Sequence, residues 1–195
     1  MITAIILAAG QSKRMGQPKM LLPWGGTTVL GQVIETVQRA GVDNILIVTG
    51  GARKQVEKLV ASYGLQFMHN ENFQSGEMLS SLQTGLREAR KNASTRGALI
   101  VLGDQPQVEE RSVRAVVNRF VETGANLVVP SYQMRRGHPW LVARSLWEEI
   151  LAMNPDESPR EFLNRRAAEI EYVNLDTPSI LSDLDTLEDY LKSRP

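Results

Sequence analysis

Five short, nearly continuous apolar runs recur along the chain, and between them apolar residues fall at helical spacing. The runs are Ile5-Ile6-Leu7-Ala8, Ile45-Leu46-Ile47-Val48, Leu65-Gln66-Phe67-Met68, Ala98-Leu99-Ile100-Val101-Leu102 and Leu127-Val128-Val129. A strand apolar on both faces must be covered on both faces, which points to parallel strands sandwiched by helices. The covering stripes are Leu30, Val33, Ile34 and Val37; Val56, Leu59 and Val60; Leu79, Leu82 and Leu86; and Val113, Val116, Val117 and Phe120. This alternation predicts an α/β fold with right-handed crossovers and a site beyond the carboxyl ends of the strands.

After about residue 131 the rhythm breaks. The sequence predicts a strand over 136–143, helices over 145–153 and 161–168, a strand over 170–173 and a terminal helix over 186–192. The turn-rich segment 154–159 is too short to separate domains. The expectation is one domain over 1–195, with 1–130 binding nucleotide and 131–195 forming the acceptor side and the C-terminal helix. A chain of this length can bury about 70% of its unfolded surface around one core without staples.

The 22 Lys and Arg balance the 22 Asp and Glu, which argues against an overall basic field for a nucleic acid polymer. The absence of Cys removes disulfides, thiolate catalysis and Cys-ligated metals, and fits a reducing cytoplasm. No apolar run reaches the roughly 18 residues that span a bilayer, and no basic region precedes the first one, so neither a membrane nor export is expected. The charges are nevertheless unevenly placed. The first 34 residues hold Lys13, Arg14 and Lys19 without an acid, and residues 176–191 hold Asp176, Asp183, Asp185, Glu188 and Asp189 without a base.

The first strand leads into Leu7-Ala8-Ala9-Gly10-Gln11-Ser12-Lys13-Arg14-Met15-Gly16-Gln17-Pro18-Lys19. The spacing fits neither a P-loop nor a dinucleotide fingerprint. Gly10 and Gly16 permit backbone conformations that bring peptide N–H groups onto an anion, Ser12 adds a hydroxyl, and Lys13, Arg14 and Lys19 add charge. Pro18, Pro23, Gly25 and Gly26 delay the following helix, which leaves a long loop able to wrap a triphosphate. A solvated basic loop is the plainer alternative.

Asp104, in Leu102-Gly103-Asp104-Gln105-Pro106, stands at the end of the fourth run, where an α/β sheet binds ligand. Gly103 leaves room beside it for a bulky group. Mg²⁺ is usually held by one or two carboxylates plus phosphate oxygens, so Asp104 is the leading ligand, with capping of a turn as the alternative. Asp183 and Asp185 offer a second carboxylate. Asp185 and Glu188 also have capping-box spacing, a structural use that Asp183 lacks.

Two further segments are polar where a ligand could lie. Asn72 to Leu82 reads as a turn entering a helix and carries Gly76, Ser80 and Ser81; capping by Ser75 or Asn72 is the structural reading. Arg135-Arg136-Gly137-His138-Pro139 is a second basic cluster, and an isolated histidine such as His138 is by itself more often structural. His69 reads as structural.

The loop resembles the signature L-A-A-G-x-S-x-R-M-G-x-P-K of nucleotidyltransferases, and in particular the branch of the molybdenum cofactor cytidylyltransferases. Asp104 lies in a segment similar to the family's G-D-x-P; residues 183–189 are similar to D-x-D-T-P-E-D, with Leu187 in place of Pro; residues 72–82 resemble the family's element of an Asn, a Gly and S-S-L; and residues 137–139 match G-H-P. The resemblance implies a three-layer, Rossmann-like domain of the nucleotide-diphospho-sugar transferase type. It implies that Leu7, Ala8, Ala9, Gly10, Ser12, Arg14 and Lys19 enclose the phosphates of a nucleoside triphosphate, with Lys19 on the α-phosphate, and that Gly76, Ser80 and Ser81 lie beside the base. Asp104 with Asp183 or Asp185 would hold Mg²⁺. Gly137, His138, Pro139 and Arg160 would face the acceptor, although Ser158-Pro159 stands where related chains read Gly-Ala. The reaction so implied moves CMP from CTP, or another nucleoside monophosphate from its triphosphate, to molybdopterin carrying molybdenum, with a molybdoenzyme as the possible recipient. Another phosphorylated acceptor, such as a sugar or polyol phosphate, and a non-catalytic cofactor carrier are the rival readings.

Overall fold

The computed structural model describes residues 1–75 and 77–195. Its centre is an eight-stranded, mostly parallel sheet formed by β1 (Ile2–Ala8), β4 (Ile45–Thr49), β5 (Gln66–His69), β6 (Gly97–Leu102), β7 (Leu127–Tyr132), β8 (Arg135–Arg136), β9 (Trp140–Ala143) and β10 (Ile170–Asn174). The order is β10-β7-β9-β6-β1-β4-β5, with β8 paired to β7. A small hairpin of β2 (Pro23–Trp24) and β3 (Thr27–Thr28) stands apart. The helices are α1 (Val29–Arg39), α2 (Arg53–Ser62), α3 (Glu77–Ala89), α4 (Glu110–Thr123), α5 (Trp147–Leu151), α6 (Pro159–Arg165) and α7 (Leu187–Ser193). No helix among the described residues is long and apolar enough to cross a membrane.

All five apolar runs become strands. Alternate residues of each inner strand feed two cores: Ala4, Ile6, Leu99 and Val101 pack beneath α1, α2 and α4, whereas Ile5, Leu7, Ile100 and Leu102 pack beneath α3, α5 and α6. β5 is the exception, since it ends the sheet and leaves Gln66 and Phe67 exposed. Its run is therefore covered only in part.

The chain runs from β1 outward to β4 and β5, then returns through α3 to place β6 on the other side of β1. That reversal makes the carboxyl ends of β1 and β6 the switch point at which such sheets bind ligands. Leu7 and Leu102 are partners there, and Gly103 N donates to Leu7 O at 3.0 Å.

The expected strand over 136–143 is two strands. β8 closes a hairpin on β7, and β9 runs antiparallel between β6 and β7; Gly137-His138-Pro139 separates them. A Cβ on Gly137 would fall 2.4 Å from Ile180 O, so only glycine fits where the chain passes under that turn. The helix expected over 145–153 is shorter, with a 3-10 turn at Arg144–Leu146 leading into α5; α6 and α7 start within two residues of expectation.

Candidate active site

The basic loop leaves β1 and turns back on itself. Ser12 adopts φ +52° and Gly16 φ +66°, while Gly10 stays outside the left-handed region. The conformational freedom expected of both glycines is therefore used at Gly16 and at Ser12. The Ser12 hydroxyl accepts from Lys19 N at 3.0 Å, which closes the loop on itself. Two 3-10 turns, Lys13–Met15 and Lys19–Leu21, carry the cations.

Pro18 immediately precedes the second turn, and Lys19 reaches inward from it. Its ammonium is ion-paired with Asp104 Oδ2 and donates to Leu184 O at 3.2 Å. Both charged side chains are largely enclosed, at 12% and 17% exposure, so this pair holds more firmly than a surface one. Arg14 instead pairs with Asp185 at 2.9 Å in open solvent. The capping reading of Asp185 is overturned. Thr186 is the N-cap of α7, and Asp189 completes the capping box, because both its own oxygen and the Thr186 hydroxyl reach the opposite backbone N–H.

Asp183 projects beside Asp104 and accepts from Gln105 Nε2 at 2.7 Å. The protein packed against its inner side pushes its carboxyl pKa up, the charge of Asp104 pushes it further, and the Gln105 hydrogen bond opposes both. The two acids thus repel each other across a partly desolvated gap. No group of three or more His, Cys, Asp or Glu converges on a metal position among the described residues. Two crowded carboxylates nevertheless suit Mg²⁺, which takes few protein ligands and completes its shell with water and phosphate oxygens.

Leu7, Ala9, Gly10, Lys19, Ser81, Asp104, Asp183 and Asp185 line one cleft of about 380 Å³. Ala8 is fully buried beneath it as part of the core. Ser81 is buried, and Asn70 Nδ2 donates to both Ser80 and Ser81, at 2.8 and 3.0 Å. Gly76 lies outside the described residues. Gly103 does not leave the room expected for a bulky group; the space its missing side chain leaves is bounded by Leu7 O and Met20 of the protein itself.

Gly137, His138, Arg160 and Pro159 line a second cleft of about 760 Å³, and Met78 lines both. Pro139 is buried behind it. The His138 amide donates to Ile180 O at 3.0 Å, and burial pushes its imidazole pKa down to about 4, so the ring is neutral at pH 7. Arg160 is exposed at the rim. His69 lies elsewhere, with Nδ1 3.4 Å from the Thr49 hydroxyl and its ring against Phe73.

Several contributors went unrecognised in the sequence. Gly50 and Gly51 follow β4 so tightly that a Cβ on Gly50 would lie 2.6 Å from Ala9 O, and one on Gly51 2.7 Å from Gly10 O. Glycine is required here for the β1 loop to pass. The Gly-Gly pair at a strand end was the available signal. Gln105, adjacent to Asp104, and Asn70, at the end of β5, had no signal beyond position.

The MobA-like NTP transferase domain matches residues 4–170 of this sequence. The chain belongs to that family. Its relatives include the molybdenum cofactor cytidylyltransferase of Escherichia coli (strain K12), 28% identical with 99% of this chain and 95% of the relative covered, and the nicotine blue oxidoreductase of Paenarthrobacter nicotinovorans, 27% identical with 96% and 93% covered. Among solved structures, Rv0371c of Mycobacterium tuberculosis H37Rv superposes with a TM-score of 0.84 at 30% identity, covering 98% of this chain and 97% of its own. The same protein in complex with manganese gives a TM-score of 0.78 at 28% identity, covering 98% and 96%. Family membership and the fold together make this a MobA-like NTP transferase domain with a cleft at the switch point of its sheet.

Proposed function

We propose that this protein transfers CMP from CTP to the terminal phosphate of molybdopterin carrying molybdenum, releasing pyrophosphate. The observation that carries the reading is the meeting of two clefts at Met78, one holding Lys19, Asp104 and Asp183 and the other His138 and Arg160. A donor and an acceptor bound in them would face each other. Residues 1–130 then serve the nucleotide, and 131–195 the acceptor and the C-terminal helix.

In this reading Leu7, Ala8, Ala9, Gly10, Ser12, Arg14 and Lys19 enclose the triphosphate, and Gly76, Ser80 and Ser81 attend the base. Lys19, anchored through its amide at Ser12 and its ammonium at Leu184 O, presents its charge to the α-phosphate. Arg14 follows from the open side. Asp104 and Asp183 would hold Mg²⁺, with Asp185 occupied by Arg14. The bound ion supplies neutralisation of phosphate charge. A phosphate monoester has its second pKa near 6 and is mostly ionised at neutral pH, so no strong base is needed to generate the nucleophile. Neutral His138, with Gly137 and Pro139, shapes the acceptor wall. The cytidylyl preference draws on the Ala8-Ala9-Gly10 form of the loop and on the name of the Escherichia coli relative. A molybdoenzyme that receives the product, and a cytoplasmic site of action, complete the reading.

Pyrophosphate release from CTP and Mg²⁺, measured with molybdopterin carrying molybdenum and with sugar and polyol phosphates, is the test. Release with the cofactor alone is expected. Release with a sugar phosphate instead moves the assignment to that acceptor, and no release with any acceptor defeats it in favour of a carrier. The name of the Paenarthrobacter relative points to a redox reaction, which would consume no CTP and release no pyrophosphate.

A further inference from the structure

The wall of the larger cleft holds an arginine fixed by neutral side chains. Arg136 donates from Nε to the Tyr172 hydroxyl at 2.9 Å and from Nη1 to Asn164 Oδ1 at 2.8 Å, and its guanidinium lies 5.8 Å from the centre of the Tyr172 ring. Both acceptors are neutral. Arg165 and Arg166, on and just beyond α6, are by contrast paired with Glu157 and Glu149. Glu157, the acid lining this cleft among the described residues, is already taken by Arg165 at 2.6 Å and by Asn154 N at 2.8 Å. Arg135 and Arg160 line the same cleft, and neither forms an ion pair among the described residues.

A guanidinium carries five N–H donors. Two are engaged here by groups that fix its orientation and leave its charge intact. Such a fork, held in advance, loses little freedom when it takes an oxyanion on its remaining donors, and it matches phosphate geometry better than an ammonium does. Arg135 and Arg160 add attraction at longer range.

We infer that Arg136, oriented by Tyr172 and Asn164, is the residue through which this cleft selects an acceptor bearing a phosphate monoester. The inference rests on the reading of this cleft as the acceptor site. Arg136 is the specificity residue, and Tyr172 and Asn164 are positioning residues.

Phenyl phosphate is a suitable probe, titrated calorimetrically into the full chain saturated with CTP and Mg²⁺, with benzoate as the carboxylate control. Wild type is expected to prefer phenyl phosphate. Arg136→Ala should weaken phenyl phosphate at least tenfold, and Arg136→Lys, which keeps the charge but not the fork, should fall between. Tyr172→Phe removes one orienting hydrogen bond and keeps the ring, and should cost about threefold or more. Lys58→Ala, exposed on α2 and outside both clefts, should bind the probe as wild type does. Unchanged phenyl phosphate affinity in Arg136→Ala, no binding by wild type, or equal weakening of both probes in every variant would overturn the inference. Loss of probe binding in Arg136→Ala alongside a wild type that releases no pyrophosphate with molybdopterin would leave it standing and remove the proposed reaction instead.

Discussion

Lys19 links three parts of the chain that are far apart in sequence: its amide meets Ser12, its ammonium meets Asp104, and the same ammonium meets the Leu184 carbonyl. Removing one preorganised stabiliser of a charged transition state typically costs about 3 kcal/mol, on the order of a hundredfold in rate. Lys19→Ala is expected to lower kcat for pyrophosphate release by at least that factor while circular dichroism stays native; near-normal turnover would remove its assigned role. His138 permits a prediction of a different kind. Burial lowers its pKa from 6.5 to about 4, so between those values the unfolded chain binds more protons than the folded one. Stability from this group is complete above pH 6.5 and declines as the pH falls towards 4. The residue keeps some solvent contact, and the loss expected is on the order of 2 kcal/mol. Urea unfolding at several pH values should show this slope in wild type and a shallower one in His138→Gln.

Among the elements, α3 illustrates how packing overrides propensity. Gly85 sits mid-helix, where alanine would normally gain about 1 kcal/mol. Its Cβ would fall 2.4 Å from Ile5 Cγ2, on the central strand that cannot retreat. Overpacking of this kind costs about 1–3 kcal/mol, so Gly85→Ala is expected to destabilise, read as a lower urea midpoint with an unchanged slope. The apolar runs and stripes made the strands and helices legible because inner strands and their covering helices are hydrophobic for one local reason. The region beyond residue 131 was harder to read. Gly137-His138-Pro139 interrupts an otherwise strand-like stretch only because the turn at Ile180 crosses it. Asp185 likewise had the spacing of a cap, yet Thr186 is better placed to receive the first free amide of α7.

For the molecule as a whole, equal numbers of acids and bases concealed two local sites. The basic loop and the acidic C-terminal segment meet through Arg14–Asp185 and Lys19–Leu184, over a small core of Met15, Leu22, Trp24, Val29, Leu184 and Tyr190. The Tyr190 hydroxyl donates to Pro23 O at 2.7 Å and fastens that seam. A ligand that bridges it should stabilise the entire fold. At a hundred times its Kd a ligand adds about 2.7 kcal/mol, so CTP with Mg²⁺ is expected to raise Tm by several degrees, and more than GTP, ATP or UTP at equal concentration. Equal shifts for all four in differential scanning fluorimetry would remove the cytidylyl preference.

The pattern of apolar residues determined the α/β alternation, and the loop of glycine, serine and cations after the first strand marked a candidate site for phosphate, since both are properties of contiguous sequence. Tertiary structure decided the rest. It separated Asp183 from Asp185 by giving one to Gln105 and Asp104 and the other to Arg14, and it revealed Gly50 and Gly51 as the space through which the loop passes. It also left Arg136 charged and unpaired by any acid among the described residues. Those outcomes depend on distances between segments brought together by folding, which composition and spacing along the chain do not encode.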